Sequence, residues 1–476
     1  MKNLLVLILF VLAGQALASD YAVVVSQKTW SDGEWKKVVA ALQKKHLAEV
    51  LFYTNRVEET LDRLRALFPR FACFVAQPEE ASREFVASVH RLSQNFDEDP
   101  YTDCFWGIVT GYNADAALRL AKYKKPLVVR KVASGTELAL EKCQEGICYD
   151  ELVKNKLVKK DKGKDAAELK GPDDTTEALV NSLTKYKADM FVTSGHATER
   201  DWQIGYRYRN GSFRCADGQL YGLDTKNKKW PINSPNPKIY MPIGNCLMGH
   251  IDGKDAMALA WMNSAGVNQM IGYTVLTWYG YAGWGCLDYF VEQPGRYTFS
   301  EAFIANDHAL IHRVQNCAPG AEKAEVDANG RPKGTFALSD WARNEKLTAQ
   351  DLQGLLYDRD ALAFYGDPAW VACMAKGPLA WEQTLTEKKG TWTFTIKPNK
   401  AEASFAPVNK NGSQRGYRPI IQFLPKRIKN VRLLEGADLQ PVITDDFILV
   451  PNPKKSDPAR EYKVVFRAEV RPKNLK

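Results

Sequence analysis

The sequence predicts an α/β protein of two subdomains, each built on a parallel sheet, followed by a C-terminal β-sandwich. Three observations predict it. From Tyr21 onward, apolar runs of strand length alternate with amphipathic segments of helical period. The stretch 152–174, rich in Lys, Asp and Gly, has no apolar period and divides that alternation in two. After Trp381 the texture changes to short β-type runs broken by Pro, Gly and Asn.

Ahead of the first strand, Lys2 precedes an apolar run from Leu4 to Ala13, then small residues at Ala16, Ala18 and Ser19. That pattern predicts a cleaved secretory signal at 1–18, with Ala16-Leu17-Ala18 as the cut and a secreted or periplasmic mature chain. The run is about half of the roughly 20 residues needed to span hydrocarbon, so no membrane span is assigned.

The N-terminal subdomain, 19–151, reads in order as a strand at Tyr21 to Val25 and a helix whose inner face is Trp35, Val38, Val39 and Leu42. A strand at Ala48 to Tyr53 and a helix from Glu58 to Phe68 follow. Next come Phe71 to Ala76 as a strand, Glu79 to Gln94 as a helix, and Asp103 to Val109 as a strand before a helix capped by Asn113. Strands separated by helices of this length imply parallel pairing with right-handed crossovers. Residues 152–174 read as a charged linker or surface insertion. The second subdomain, 175–380, carries strands at Met190 to Thr193, Ile239 to Ile243 and Gln269 to Val275, with helices at Asp255 to Ser264 and Ser300 to Arg313. The last unit, 388–476, carries strands at Thr391 to Ile396, Val431 to Leu434, Phe447 to Val450 and Tyr462 to Phe466.

The formal net charge of +9 comes with lysines crowded into 154–170 beside several acids. A solvated loop explains that run, and no nucleic-acid partner is assigned. Nine cysteines in an exported chain leave at least one unpaired. Cys143 and Cys148 are spaced to staple a short loop. If Cys246 is the odd thiol, the other eight have room for four disulfides.

Two apolar strands end in small polar turns, Phe191-Val-Thr-Ser-Gly-His196 and Ile239-Tyr-Met-Pro-Ile-Gly-Asn-Cys246. Each places a reactive side chain at a strand's carboxyl edge, where ligands bind in open α/β sheets. A thiol attacks a carbonyl as thiolate, and an imidazole is the usual device for forming it, so His196 and Cys246 are a candidate catalytic pair. The turns Ser194-Gly195 and Gly244-Asn245 allow backbone amides to face a developing oxyanion. Ser194 lacks the Gly-X-Ser-X-Gly surroundings of a serine nucleophile. His250 invites a zinc site with His196, but four ligands at short spacing are not present and no metal ligand is assigned. Cys246 as a structural thiol, or as a disulfide partner of Cys215 or Cys286, is the competing reading.

A strand ending in Ser-Gly-His and a second ending in Cys resembles the gingipain, caspase and legumain group of cysteine peptidases. Gly272-Tyr-Thr-Val-Leu-Thr-Trp278, Ser300-Glu-Ala-Phe303 and Tyr365-Gly-Asp-Pro368 resemble stretches of the gingipains in particular. The resemblance implies two Rossmann- or caspase-like subdomains, an immunoglobulin-like domain behind them, and an endopeptidase working through a thioacyl-enzyme on a protein or peptide substrate. It implies His196 as general base and Cys246 as nucleophile. The backbone amides of Ala197 and Cys246 would be oxyanion donors, and Thr277 and Trp278 the wall of the specificity pocket. Trp278, Tyr279 and Tyr281 form an aromatic cluster that reads equally as pocket or core. No cofactor is required. The acidic run Asp97 to Asp103 is a place for structural calcium, or for a third member orienting His196.

Two departures stand out. These families have Gly after the His where this chain has Ala197, so a positive φ there would strain the loop by about 1 kcal/mol or more. Asn245 precedes the Cys where a small residue is commoner. An inactive peptidase fold kept as a surface scaffold is therefore the alternative from another class, and a transpeptidase the alternative within the same chemistry.

Overall fold

The computed structural model describes residues 20–327, 330–408, 416–457 and 460–471; the predicted signal at 1–18 lies outside the described residues. Twelve of its strands form one sheet. In chain order they are β1 (Tyr21–Ser26), β2 (Glu49–Tyr53), β3 (Phe71–Val75), β4 (Phe105–Val109), β5 (Lys131–Ser134), β6 (Glu145–Tyr149), β7 (Lys156–Lys160), β8 (Ala167–Lys170), β9 (Met190–Thr193), β10 (Lys238–Pro242), β11 (Val267–Tyr273) and β12 (Leu362–Tyr365). Their order across the sheet is β2-β1-β3-β4-β12-β11-β10-β9-β5-β6-β7-β8.

The two parallel sheets that the sequence predicts are thus one. The join is β12, a fully buried four-residue strand that pairs parallel to β4 and antiparallel to β11. The reversal makes the two halves run in opposite directions. Every residue of β1 is buried: Tyr21, Val23 and Val25 pack with Trp35, Val38, Val39 and Leu42 on one side, and Ala22 and Val24 join the main core on the other. Burial on both faces is what near-continuous apolar strands require.

The stretch expected as a linker or surface insertion folds as the antiparallel strands β7 and β8 at the edge of the sheet, with β8 fully exposed. Its lysines keep that edge solvated, which discourages pairing with another chain. A second element escaped the sequence reading altogether. Between β9 and β10 the chain inserts a four-stranded antiparallel sheet, Asp201–Gln203, Ser212–Ala216, Gln219–Leu223 and Lys229–Ile232.

The C-terminal unit has two antiparallel sheets. Trp381–Lys388, Thr391–Pro398, Tyr462–Val470 and Ile428–Glu435 form one; Ile420–Phe423, Phe447–Val450 and Val442–Ile443 form the other. Trp392, Phe394, Ile396, Ile420, Ile448, Val464 and Phe466 fill the space between them. The opposite face of the smaller sheet sends Ile421, Phe423, Phe447 and Leu449 into the main core.

All nine cysteines are free, which corrects the expected disulfides. Cys143 and Cys148 aim their sulfurs at different carbonyls, of Ala139 and Thr136. Cys215 and Cys286 likewise face the carbonyls of Asp255 and Ala282, away from Cys246. Among the described residues no helix is long and apolar enough to cross a membrane.

Candidate active site

β9 and β10 pair in parallel with Thr193 opposite Pro242, so the turns that follow them leave the same edge side by side. His196 and Cys246 both line one cavity of about 280 Å³, together with Glu151, Leu152, Ser194, Gly195, Tyr206, Gly244, Thr277, Trp278, Tyr279, Gly280 and Trp284. The imidazole is exposed and the thiol half-buried. No hydrogen bond joins them among the described contacts, and both face the space a substrate would fill; catalytic contacts of this kind often tighten only with substrate bound.

The His196 turn is anchored from beneath and from the side. Trp202, fully buried in the first strand of the inserted sheet, donates its indole N–H to the Ser194 carbonyl at 2.8 Å. Gln203 donates its backbone N–H to the His196 carbonyl at 2.9 Å. The Tyr206 ring stacks on the imidazole with centroids 4.7 Å apart. On the other side of the cavity, Thr277 donates its backbone N–H to Cys246 Sγ at 3.2 Å. A donor aimed at sulfur would stabilise a thiolate formed there.

The positive φ of this loop sits at Gly195, φ 90°, and Ala197 has no positive φ. Ala197 is instead bridged to Trp202 as extended backbone, a conformation any residue adopts, so the strain expected of alanine here does not arise. Among the described residues, the backbone N–H groups of Ala197 and Cys246 have no acceptor. Main-chain donors left open in this way have the chemistry to hold an oxyanion.

Of the expected pocket residues, Thr277 and Trp278 line the cavity, and Trp278 is 44% exposed with its ring 5.6 Å from Tyr279. Tyr281 does not belong to the cavity: it is buried, with the Arg418 guanidinium 3.6 Å over its ring. The acidic run is also elsewhere. Asp103 accepts from the Phe96 N–H at 2.8 Å and its carbonyl meets Arg427 of the C-terminal unit, so it does not orient His196. His250 does not line the cavity, and among the described residues no group of three or more His, Cys, Asp or Glu side chains is arranged to hold a metal.

The sequence reading missed Glu151. Its Oε1 accepts from the Thr136 hydroxyl at 2.8 Å, while Oε2 is buried without a partner, and it is the one acidic side chain among the residues lining the cavity. Desolvation pushes its pKa up to about 7, against the opposing influence of the Thr136 and Ser194 hydroxyls. Its backbone carbonyl also accepts from Tyr206 N–H at 2.7 Å, which fixes the loop whose ring covers His196. The usable signal was present: Glu151 lies two residues past the end of β6, at the same carboxyl edge that pointed to His196 and Cys246.

No family model matches the chain, and no curated protein matches it in sequence. Among solved structures it is similar to the Arg-specific cysteine proteinase gingipain R (RGPB), at 12% identity and a TM-score of 0.45 over 93% of each chain. It is also similar to the complex of Porphyromonas gingivalis RgpB pro- and mature domains, at 11% identity and a TM-score of 0.44, over 94% of this chain and 93% of that one.

Proposed function

We propose that this chain is a cysteine endopeptidase in which Cys246 is the nucleophile and His196 the general base. The observation that carries the reading is the convergence of the thiol and the imidazole on one solvent-open cavity at the carboxyl ends of adjacent parallel strands, with acceptor-free backbone amides at Cys246 and next to His196 at Ala197. His196 takes the thiol proton and Cys246 attacks the peptide carbonyl carbon. The Ala197 and Cys246 amides hold the oxyanion, and His196 returns the proton to the leaving amine. Water, deprotonated by His196, then cleaves the thioester and restores the thiol.

Glu151 favours a substrate with a cationic side chain before the scissile bond. A cation beside Oε2 would satisfy that buried oxygen and draw the carboxyl into its charged form. Trp278 offers an aromatic face along the same cavity. The residue order at 1–18 supports action after export, and the paired C-terminal sheets support an immunoglobulin-like domain behind the catalytic unit.

The test is fluorophore release from a peptide library varied at the residue before the cleaved bond, under reducing conditions, comparing the mature chain with Cys246→Ala. Cleavage restricted to the unmodified chain is expected, at least about 10³-fold above the variant. No cleavage by a demonstrably folded chain would remove the peptidase reading.

A further inference from the structure

Asn245, the residue before the nucleophile, is fully buried, and so are Thr193 and Tyr240 beside it. Its Nδ2 donates to the Gly195 carbonyl at 3.0 Å, and its Oδ1 accepts from Thr193 Oγ1 at 2.6 Å. Because a carbonyl only accepts, Nδ2 must face Gly195 and Oδ1 must face Thr193. Thr193 has a single hydroxyl proton, which goes to Asn245, so at 2.9 Å it accepts from the Tyr240 hydroxyl. Tyr240 is itself held under the Trp261 ring, with centroids 3.9 Å apart. The chain Tyr240, Thr193, Asn245, Gly195 therefore has one arrangement of protons, with every bond made inside the core.

This chain of bonds crosses between the two reactive turns. The strand ladder joining β9 and β10 ends where Ile243 N–H meets the Thr193 carbonyl at 3.0 Å. Past that point, among the described residues, the bond from Asn245 to Gly195 is the one hydrogen bond between residues 194–196 and residues 244–246. It grips the carbonyl of the residue with φ 90°, where the chain turns to present His196. On its far side, Thr277 Oγ1 donates to the Asn245 carbonyl at 3.3 Å while the Thr277 N–H meets Cys246 Sγ.

We infer that Asn245 is a positioning residue whose side-chain amide clamps the His196 turn to the Cys246 turn and thereby sets the approach of imidazole to thiol. The inference rests on the Cys246–His196 reading above. It gives a reason for a large polar residue at a place where a small one would fill the fold: the amide's two ends match one donor and one acceptor that the strands alone leave apart.

The test follows iodoacetamide labelling of Cys246 in the full chain across pH, read at the Cys246 peptide by mass spectrometry because eight other thiols are present. Asn245→Ala should slow labelling near pH 6 by about tenfold or more, since small misplacements of reacting groups carry large rate costs. In a His196→Ala background the same replacement should slow nothing further, because the clamp acts through His196. Asn245→Asp should match the unmodified chain while its carboxyl keeps a proton to donate to Gly195, and fall behind as pH rises. Thr193→Val removes the donor to Oδ1 at similar volume and answers the question if Asn245→Ala does not fold. An Asn245→Ala profile identical to the unmodified chain's, with only a lower melting temperature, overturns the clamp and leaves the peptidase reading standing. Labelling of the unmodified chain no faster than that of His196→Ala overturns both.

Discussion

Two carboxyl groups, one fully buried and one half-buried, divide this molecule into a region built to hold and a region built to receive. At the Gly-Asp-Pro corner, Asp367 lies where the chain doubles back after β12 at Gly366, φ 122°. Its carboxylate accepts from the Tyr21 hydroxyl at 2.8 Å, Lys45 Nζ at 2.7 Å and the Ala369 N–H at 3.0 Å, and pairs with His46 Nε2 at 2.8 Å. Burial alone would raise its pKa, but the His46 hydrogen bond and the charges of Lys45 and His46 outweigh it and hold the group at about 2. Glu151 is half-buried, with the Thr136 and Ser194 hydroxyls for company, and desolvation carries it up to about 7. The folded chain completes the first charge by itself and leaves the second open. A motif residue can therefore be structural, and an unremarked glutamate can mark the site.

The largest consequence belongs to Asp367. Asp367→Asn leaves Lys45 facing a neutral group in the core, and breaking a buried pair in this way costs about 3–5 kcal/mol. Thermal and denaturant unfolding should both show it. The sign of the pH dependence follows from a folded pKa of about 2 lying below the unfolded value of about 3.9. The stabilisation is complete above about pH 4 and is lost as pH falls towards 2. The two proteins should therefore converge in stability in acid. A constant gap down to pH 2 would mean that Asp367 acts by shape and not by charge.

The same contrast explains what was legible in the sequence. β1, β3, β9 and β10 are short apolar runs bounded by polar turns, and the turns carry His196 and Cys246 in plain view. Lys131–Ser134 and Glu145–Tyr149 do not stand out as strands in the sequence, because they are short, each opens on a charged residue, and the partner β9 that builds the first into the sheet lies far along the chain. Missing β6 hid Glu151 at its end. β12 was hidden because four apolar residues become a strand only when β4 and β11 flank them. The expected disulfides rested on compartment and on the short Cys143–Cys148 spacing, and the local backbone aims the sulfurs of Cys143, Cys148, Cys215 and Cys286 at carbonyls instead. Asn245 was visible as an oddity, but its partners Thr193 and Gly195 become neighbours only once β9 and β10 pair.

A smaller effect of opposite sign is expected at Glu151. Its folded pKa of about 7 exceeds the unfolded value of about 4.3. The stability linked to it is fully present below about pH 4 and is lost as pH rises through 7, amounting to about 1–3 kcal/mol by pH 8. Glu151→Gln removes that titration, so the variant should be more stable than the unmodified chain at pH 8 and about equal to it at pH 5. Cleavage after Lys or Arg should nevertheless fall about 10- to 100-fold, the worth of a charge-assisted hydrogen bond, while cleavage after uncharged residues is spared. A variant that loses stability at pH 8 would place Glu151 with Asp367 among the residues that hold the fold.

The smallest effect tests the loop between these regions. Ala197 is extended, bridged to Trp202, and the left-handed turn belongs to Gly195. Ala197→Gly relieves no strain and adds freedom to the unfolded chain, so it should lower stability by about 0.4–1 kcal/mol. Peptide cleavage, measured as kcat/KM beside the unmodified chain, should stay within about twofold, because the backbone amide at 197 is the same group in either residue. A tenfold gain on placing Gly at 197 would mean that the alanine restrains the oxyanion amide. The cleft would then hold a strain of its own, and its open donors would be the mark of a damped site and not of one waiting for substrate.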